Sequence, residues 1–256
     1  MKAATIGTGL FLAAFISVVL FMVLTRSPPE TLLASLSSKE IQFAIVLSLK
    51  TSVASTILCL LVAVPAAYAL ARYDFPGKSV ANTLLDMPLA LPPLVAGVGL
   101  LLFFGTSLPG RELADAGLVF VFTPLGIVAA QFFVNVPFMV RVMRSTFEGI
   151  SPRYEYVAKT LGCTEGQALW RVTLPMASNG LVAGSVITWS KAIGEFGAVL
   201  MMAGATRMRT ETLPTSLFLN MSCGKLDEAI SVATILILIS VISLYVFERR
   251  VGGLRL

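Results

Sequence analysis

Histidine is absent from the 256 residues, and cysteine occurs only three times. The first absence removes the commonest general base, proton shuttle and metal ligand. Cys59, Cys163 and Cys223 have no metal-ligand spacing. On the topology derived below they fall mid-membrane, inside and outside, so no intrachain disulfide is expected. Charge is also sparse, at 13% Asp, Glu, Lys and Arg, against about 25% in a soluble globular domain. Without histidine there is no H-E-x-x-H metalloprotease signature, and no serine–base arrangement replaces it. Pro76-Gly-Lys-Ser79 has the tail of a phosphate-binding loop, but Arg72 stands where its first glycine is required. The chain is therefore expected neither to bind ATP nor to be an enzyme.

Apolar runs fill the space that charge leaves. Hydrophobic residues make up 56% of the chain, and six segments stand out, at residues 6–24, 43–71, 81–104, 118–140, 180–203 and 229–247. Each is long enough to cross a hydrocarbon core of about 30 Å as a helix. None has the roughly ten-residue alternation of a membrane β-barrel strand. The fold expected is all-α and polytopic, one transmembrane domain over 1–256 with six spans. The first segment follows Lys2 but exceeds a usual leader core, and it is expected to be a true span.

Orientation follows from the basic residues. Lys2, Arg72, Lys78, Arg141, Arg144, Arg153, Lys159, Arg171, Arg249, Arg250 and Arg255 lie on one side, and Arg26, Lys39, Arg111, Arg207, Arg209 and Lys225 on the other. The richer side is expected to be cytoplasmic, with both termini there. The net charge of +5 then reads as a topology signal rather than a nucleic-acid footprint.

The longest connection, 143–179, lies on the cytoplasmic side. Ser151 and Pro152 suit the start of a short helix, and Gly162 its left-handed stop. Thr164 and Gln167 form a capping box that opens a second helix. Tyr154, Tyr156, Ala158, Leu161 and Trp170 would give this helix–Gly–helix knob an apolar surface. That surface either packs under the bundle or docks on a partner.

The run Glu155-Tyr-Val-Ala-Lys-Thr-Leu-Gly162, followed nine residues later by Val172-Thr-Leu-Pro175, resembles the EAA loop of ABC importer permeases. Ala158, Gly162, Leu174 and Pro175 match in register, and Val172 replaces isoleucine. The pattern's glutamate falls on Tyr156, with Glu155 one residue early, and its first alanine falls on Val157. The resemblance implies a type I importer permease whose loop, including Tyr154, inserts into a cleft of a separate ATPase subunit.

Three further blocks are similar to the molybdate/tungstate permease branch. They are Pro92-Pro-Leu-Val-Ala-Gly-Val-Gly99, Gly194-Glu-Phe-Gly-Ala198 and Thr212-Leu-Pro-Thr-Ser-Leu-Phe-Leu-Asn-Met-Ser222. The second is also similar to sulfate and thiosulfate permeases, while the run into Asp227-Glu-Ala-Ile-Ser-Val-Ala-Thr234 favours molybdate or tungstate. The resemblance implies a homodimer of this chain in the inner membrane. It also implies two ATP-binding cassette subunits that carry the ATP and Mg, and an extracytoplasmic oxyanion-binding protein. No cofactor is expected in the chain itself.

Candidate pathway or gate residues lie in the fifth span: Thr188, Ser190, Lys191, Glu195 and Phe196. Charges within a span are costly and mark function by default. Lys191 and Glu195 are four apart, so on one continuous helix they could pair. Alternatively, Lys191 eases the passage of a dianion. Gly180 and Gly184 suit close helix packing. Asp86, Gln131 and Asn135 suit interhelical hydrogen bonds, and Lys50 either attracts anions or snorkels. A secondary transporter or channel for anions is the reading from another class. Such a transporter would be expected to show inverted repeats, which are not seen here, and a channel has no need of the capped knob.

Overall fold

A computed structural model describes residues 2–252, leaving out the side chains at 3, 4, 244 and 246–252. No strand occurs among the described residues. The helices are α1 (Lys2–Arg26), α2 (Pro29–Ser37), α3 (Lys39–Arg72), α4 (Lys78–Ala90), α5 (Pro93–Thr106), α6 (Leu108–Asp115) and α7 (Pro124–Gly149). They continue with α8 (Arg153–Thr160), α9 (Glu165–Ala168), a π turn at Leu169–Thr173, α10 (Leu174–Met176), α11 (Ser178–Ile193), α12 (Gly197–Ala203), α13 (Leu213–Ser222) and α14 (Leu226–Gly252).

Four stretches are long and apolar enough to cross a membrane alone: Thr5–Arg26, Lys39–Arg72, Pro124–Gly149 and Leu226–Ser243. Each of the other two expected spans is a pair of helices joined at a sharp bend. The span expected at 81–104 is α4 followed by α5 at a bend of 113°, and the one expected at 180–203 is α11 followed by α12 at 59°. The first break has a local cause. Pro92 and Pro93 remove two consecutive N–H donors, and Leu91 and Pro92 turn extended at ψ 137° and 134°. The span expected at 118–140 also starts later, because Thr123 caps α7 at Pro124.

The bundle is organised around α3 and α7, its most extensive pairing. Cys59, Ala63, Ala67 and Tyr68 of α3 pack on Met139, Met143 and Phe147 of α7. A second core joins α7 and α12 through Ile127, Ala130, Val199 and Met202. A third joins α3, α13 and α14 through Ile41, Ala44, Leu213 and Val232. Two hydroxyls on α3 are satisfied within their own helix, as Thr51 and Thr56 bond the carbonyls of Leu47 and Ser52 at 2.9 and 2.7 Å. Ser48 instead accepts the N–H of Leu213 at 2.8 Å, which fixes the start of α13 against α3.

Small residues set the helix spacing. A Cβ on Gly180 would sit 2.2 Å from Thr146 Oγ1, and one on Gly184 2.8 Å from Met139 Sδ, so α11 lies directly on α7. Gln131 spans the same interface, donating to the carbonyl of Ala192 at 2.8 Å, whereas Asn135, expected to bond between helices, donates within α7 to the carbonyl of Gln131. Asp86 of α4 takes a forked pair of bonds from Arg141 of α7 at 2.9 and 3.0 Å. By contrast, α1 is exposed along its apolar stretch except at the half-buried Val23 and Leu24.

Candidate functional site

Beyond α7 the chain folds into a knob whose turns are dictated locally. Ser151 Oγ lies 3.5 Å from the N–H of Arg153, and α8 begins there. Gly162 is left-handed at φ +92°. The N–H groups of Cys163 and Gly162 return to the carbonyls of Ala158 and Lys159, both at 3.0 Å. This is the paired closure that a left-handed glycine allows. Thr164 and Gln167 complete their capping box at 3.3 and 3.0 Å. The π turn then widens the helix just ahead of Pro175, whose missing N–H and ring would conflict with a regular turn.

Helical phase divides the expected docking residues into two sets. Tyr154, Tyr156, Val157, Leu161 and Trp170 face outward, the last two 80% and 73% exposed. Pro175 is also exposed and Val172 half-buried. Ala158, expected on the outward surface, is buried, as are Glu155 and Leu174. The reason is spacing, since residues 155 and 158 share the face that packs on the bundle while 154, 156 and 157 point away.

Glu155 is gripped by three donors from two elements. Its Oε1 accepts from Arg72 Nε of α3 and from Thr173 Oγ1 of the π turn, both at 2.9 Å, and its Oε2 accepts from Tyr68 OH at 2.9 Å. Arg72 also donates to the carbonyl of Ile150 at 2.9 Å. Tyr68 sets its ring edge-on to Phe147 at 5.7 Å. Burial raises the Glu155 carboxyl, but donation from Arg72, Tyr68 and Thr173 outweighs it and holds the group below its ordinary range. Further out, Glu165 bonds Lys159 at 2.6 Å and Tyr73 at 3.3 Å. The Lys159 ammonium lowers the Glu165 carboxyl and is itself raised by it. Arg72 had signalled only topology in the sequence. Its place in this grip depends on contact with α8, 83 residues away.

The second feature is where the two broken spans cross. A Cβ on Gly97 of α5 would meet Ala198 Cα and O and Met201 Cβ at 2.8 Å, and one on Gly197 would meet Pro93 Cβ at 3.0 Å. Beside this contact lies a cavity of about 390 Å³ lined by Pro92, Pro93, Leu94, Gly194, Glu195, Phe196 and Gly197. Glu195 Oε1 accepts the N–H of Ala198 at 3.0 Å and so caps α12. Phe196 rests on Phe218 at 5.4 Å.

The expected Lys191–Glu195 pair does not form. α11 stops at Ile193, so the four-residue spacing no longer runs along one helix. Lys191 instead lies exposed, its Nζ 5.7 Å from the centre of the Phe138 ring. Thr188 is buried and donates to Met139 Sδ at 3.6 Å. Ser190 Oγ is buried and has no partner among the described residues. The structure thus brings Glu195 and Phe196 to one cavity and leaves Thr188, Ser190 and Lys191 along α11 below it.

The structure is thus a helical polytopic bundle with two elbows in contact and an apolar knob at one end. Residues 60–252 match the family described as "Binding-protein-dependent transport system inner membrane component". The molybdenum transport system permease protein ModB of Mycobacterium tuberculosis is 38% identical over 208 residues, 81% of this chain and 78% of that protein. The sulfate transport system permease protein CysT of Escherichia coli is 35% identical over 195 residues, 73% and 70% of the two chains. The molybdate/tungstate permease WtpB of Thermococcus kodakarensis is 36% identical over 197 residues, 76% and 75%.

Among solved structures, a bacterial ABC transporter involved in import of the acidic polysaccharide alginate superposes with a TM-score of 0.79. It covers 100% of this chain and 96% of that one at 15% identity. A bacterial alginate ABC transporter in complex with a pentasaccharide-bound periplasmic protein gives 0.75, covering 98% and 93% at 17% identity. These two share the fold. The chain belongs to the binding-protein-dependent permease family: it is a multi-pass inner-membrane permease subunit of an ABC importer.

Proposed function

We propose that this subunit passes molybdate or tungstate across the membrane by alternating access, with ATP and Mg held on a separate subunit. The observation that carries this reading is the knob. Its outward set of Tyr154, Tyr156, Val157, Leu161 and Trp170 is held in fixed turns at the end of a membrane bundle. Aromatic residues presented on a rigid element are the anchors of a protein interface. The knob accordingly sits on the cytoplasmic side and seats in a cleft of the ATPase, and an extracytoplasmic binding protein delivers the anion opposite. Lys50 and Lys191 are exposed along α3 and α11, where facing lipid is costly for a cation. They therefore face a pathway completed by a second copy of the chain.

The choice of anion rests on relatives named for molybdenum, molybdate/tungstate and sulfate. Sulfate stands close enough to be the second reading. ATP-dependent uptake of labelled molybdate into vesicles holding the chain with its ATPase and binding protein tests both. Competition by tungstate and not by sulfate is the expected result. Competition by sulfate makes the chain a permease of the sulfate branch, and no ATP-dependent uptake of any of the three overturns the oxyanion reading. Leu161→Asp, placed at the most exposed residue of this outward apolar set, is expected to release the ATPase subunit while membrane insertion persists.

A further inference from the structure

We propose that Glu155 is the pin that fastens the ATPase-docking knob to the bundle, a positioning residue for coupling that does not itself touch the partner. This rests on the reading of the knob as the ATPase dock. The carboxylate is turned away from the outward face, with only 6% of its side chain accessible against 8% for Arg72. Three donors from two elements saturate it, from Tyr68 and Arg72 at the end of α3 and from Thr173 in the π turn. Arg72 extends the grip to the last carbonyl before the knob, at Ile150. Four segments thus meet at one buried ion pair.

The consequence is mechanical. Exposed contacts between the knob and the bundle, such as Glu165 with Tyr73, can slide in water at little cost. A buried pair cannot separate without leaving an uncompensated charge. A force on Tyr156 or Trp170 therefore moves α8, the π turn and the end of α3 together. α3 is 34 residues long, about 51 Å of continuous helix. Its far half holds the start of α13 through Ser48 and Leu213. The pin joins the knob to an element that reaches across the membrane.

The test uses the full complex of permease, ATPase and binding protein in vesicles. Co-purified ATPase, stability and anion moved per ATP are measured together. For Glu155→Gln the expected result is a wild-type ratio of bound ATPase with anion moved per ATP falling about tenfold, within the usual range of inter-site coupling. Thr173→Val, which keeps side-chain shape and removes one donor, is expected to fall in the same direction by less. Thr173→Ser, which keeps the hydroxyl, should restore coupling. If the assembled variants move wild-type amounts of anion per ATP, or lose only stability, the pin is overturned. If Glu155→Gln fails to assemble, the Thr173→Val and Thr173→Ser pair decides by the same ratio. A wild-type chain that captures no ATPase overturns the docking reading instead, a distinct result.

Discussion

Single side chains decide two properties of this permease. Gly97 lies where α5 touches the backbone of Ala198, while nothing stands within 4 Å of a Cβ on Gly99. Gly97→Val is expected to destabilise the detergent-purified protein by about 1–3 kcal/mol, the usual cost of overpacking. Gly99→Val should leave its thermal midpoint unchanged, and a matching loss at both sites would exclude the close crossing as the cause. Glu155 gives a pH dependence with a definite sign. Its folded carboxyl lies below the ordinary value of 4.5, so the stabilisation it contributes is present above that value. It is lost as pH falls below about 4.5. Hydrogen exchange over residues 153–173 should lose protection in that window while α3 and α7 keep theirs.

At the scale of elements, the knob was readable because its signals are short-range. A left-handed glycine and the Thr164–Gln167 box act over three to five residues, and both are present as the local pattern implies. Gly162→Val adds a β-branched side chain at φ +92° and is expected to cost about 1–2 kcal/mol locally. It should lower anion moved per ATP without preventing membrane insertion. An unchanged ratio would mean that the turn has no part in coupling. The broken spans were less readable. The consecutive prolines Pro92 and Pro93 allow the 113° bend between α4 and α5, and α5 beyond it packs on α12 and α7. The Gly194–Gly197 break carries no proline, and Glu195 becomes its cap only because α11 has already stopped.

At the scale of the whole molecule, Lys191 is exposed and belongs to no ion pair among the described residues. Lys191→Ala is expected to leave folded yield near wild type, since no buried pair is broken. It should slow anion uptake by several-fold, because a cation lining a pathway attracts its cargo from within about a Debye length. A fall in yield matching the fall in uptake would return Lys191 to a structural role.

Composition, apolar length and the short turn signals around Gly162 and Thr164 determined by themselves that this chain is a helical membrane protein with a capped knob. These properties follow from transfer energetics and from turns a few residues long, and distant contacts barely alter them. Tertiary structure alone decided which face of α8 is buried, that Glu155 turns inward to Arg72, and that Lys191 and Glu195 stay apart. The first two depend on residues tens of positions away arriving at one point, since local periodicity gives a helix its faces without saying which neighbour will cover them, and the third follows from the end of α11 at Ile193.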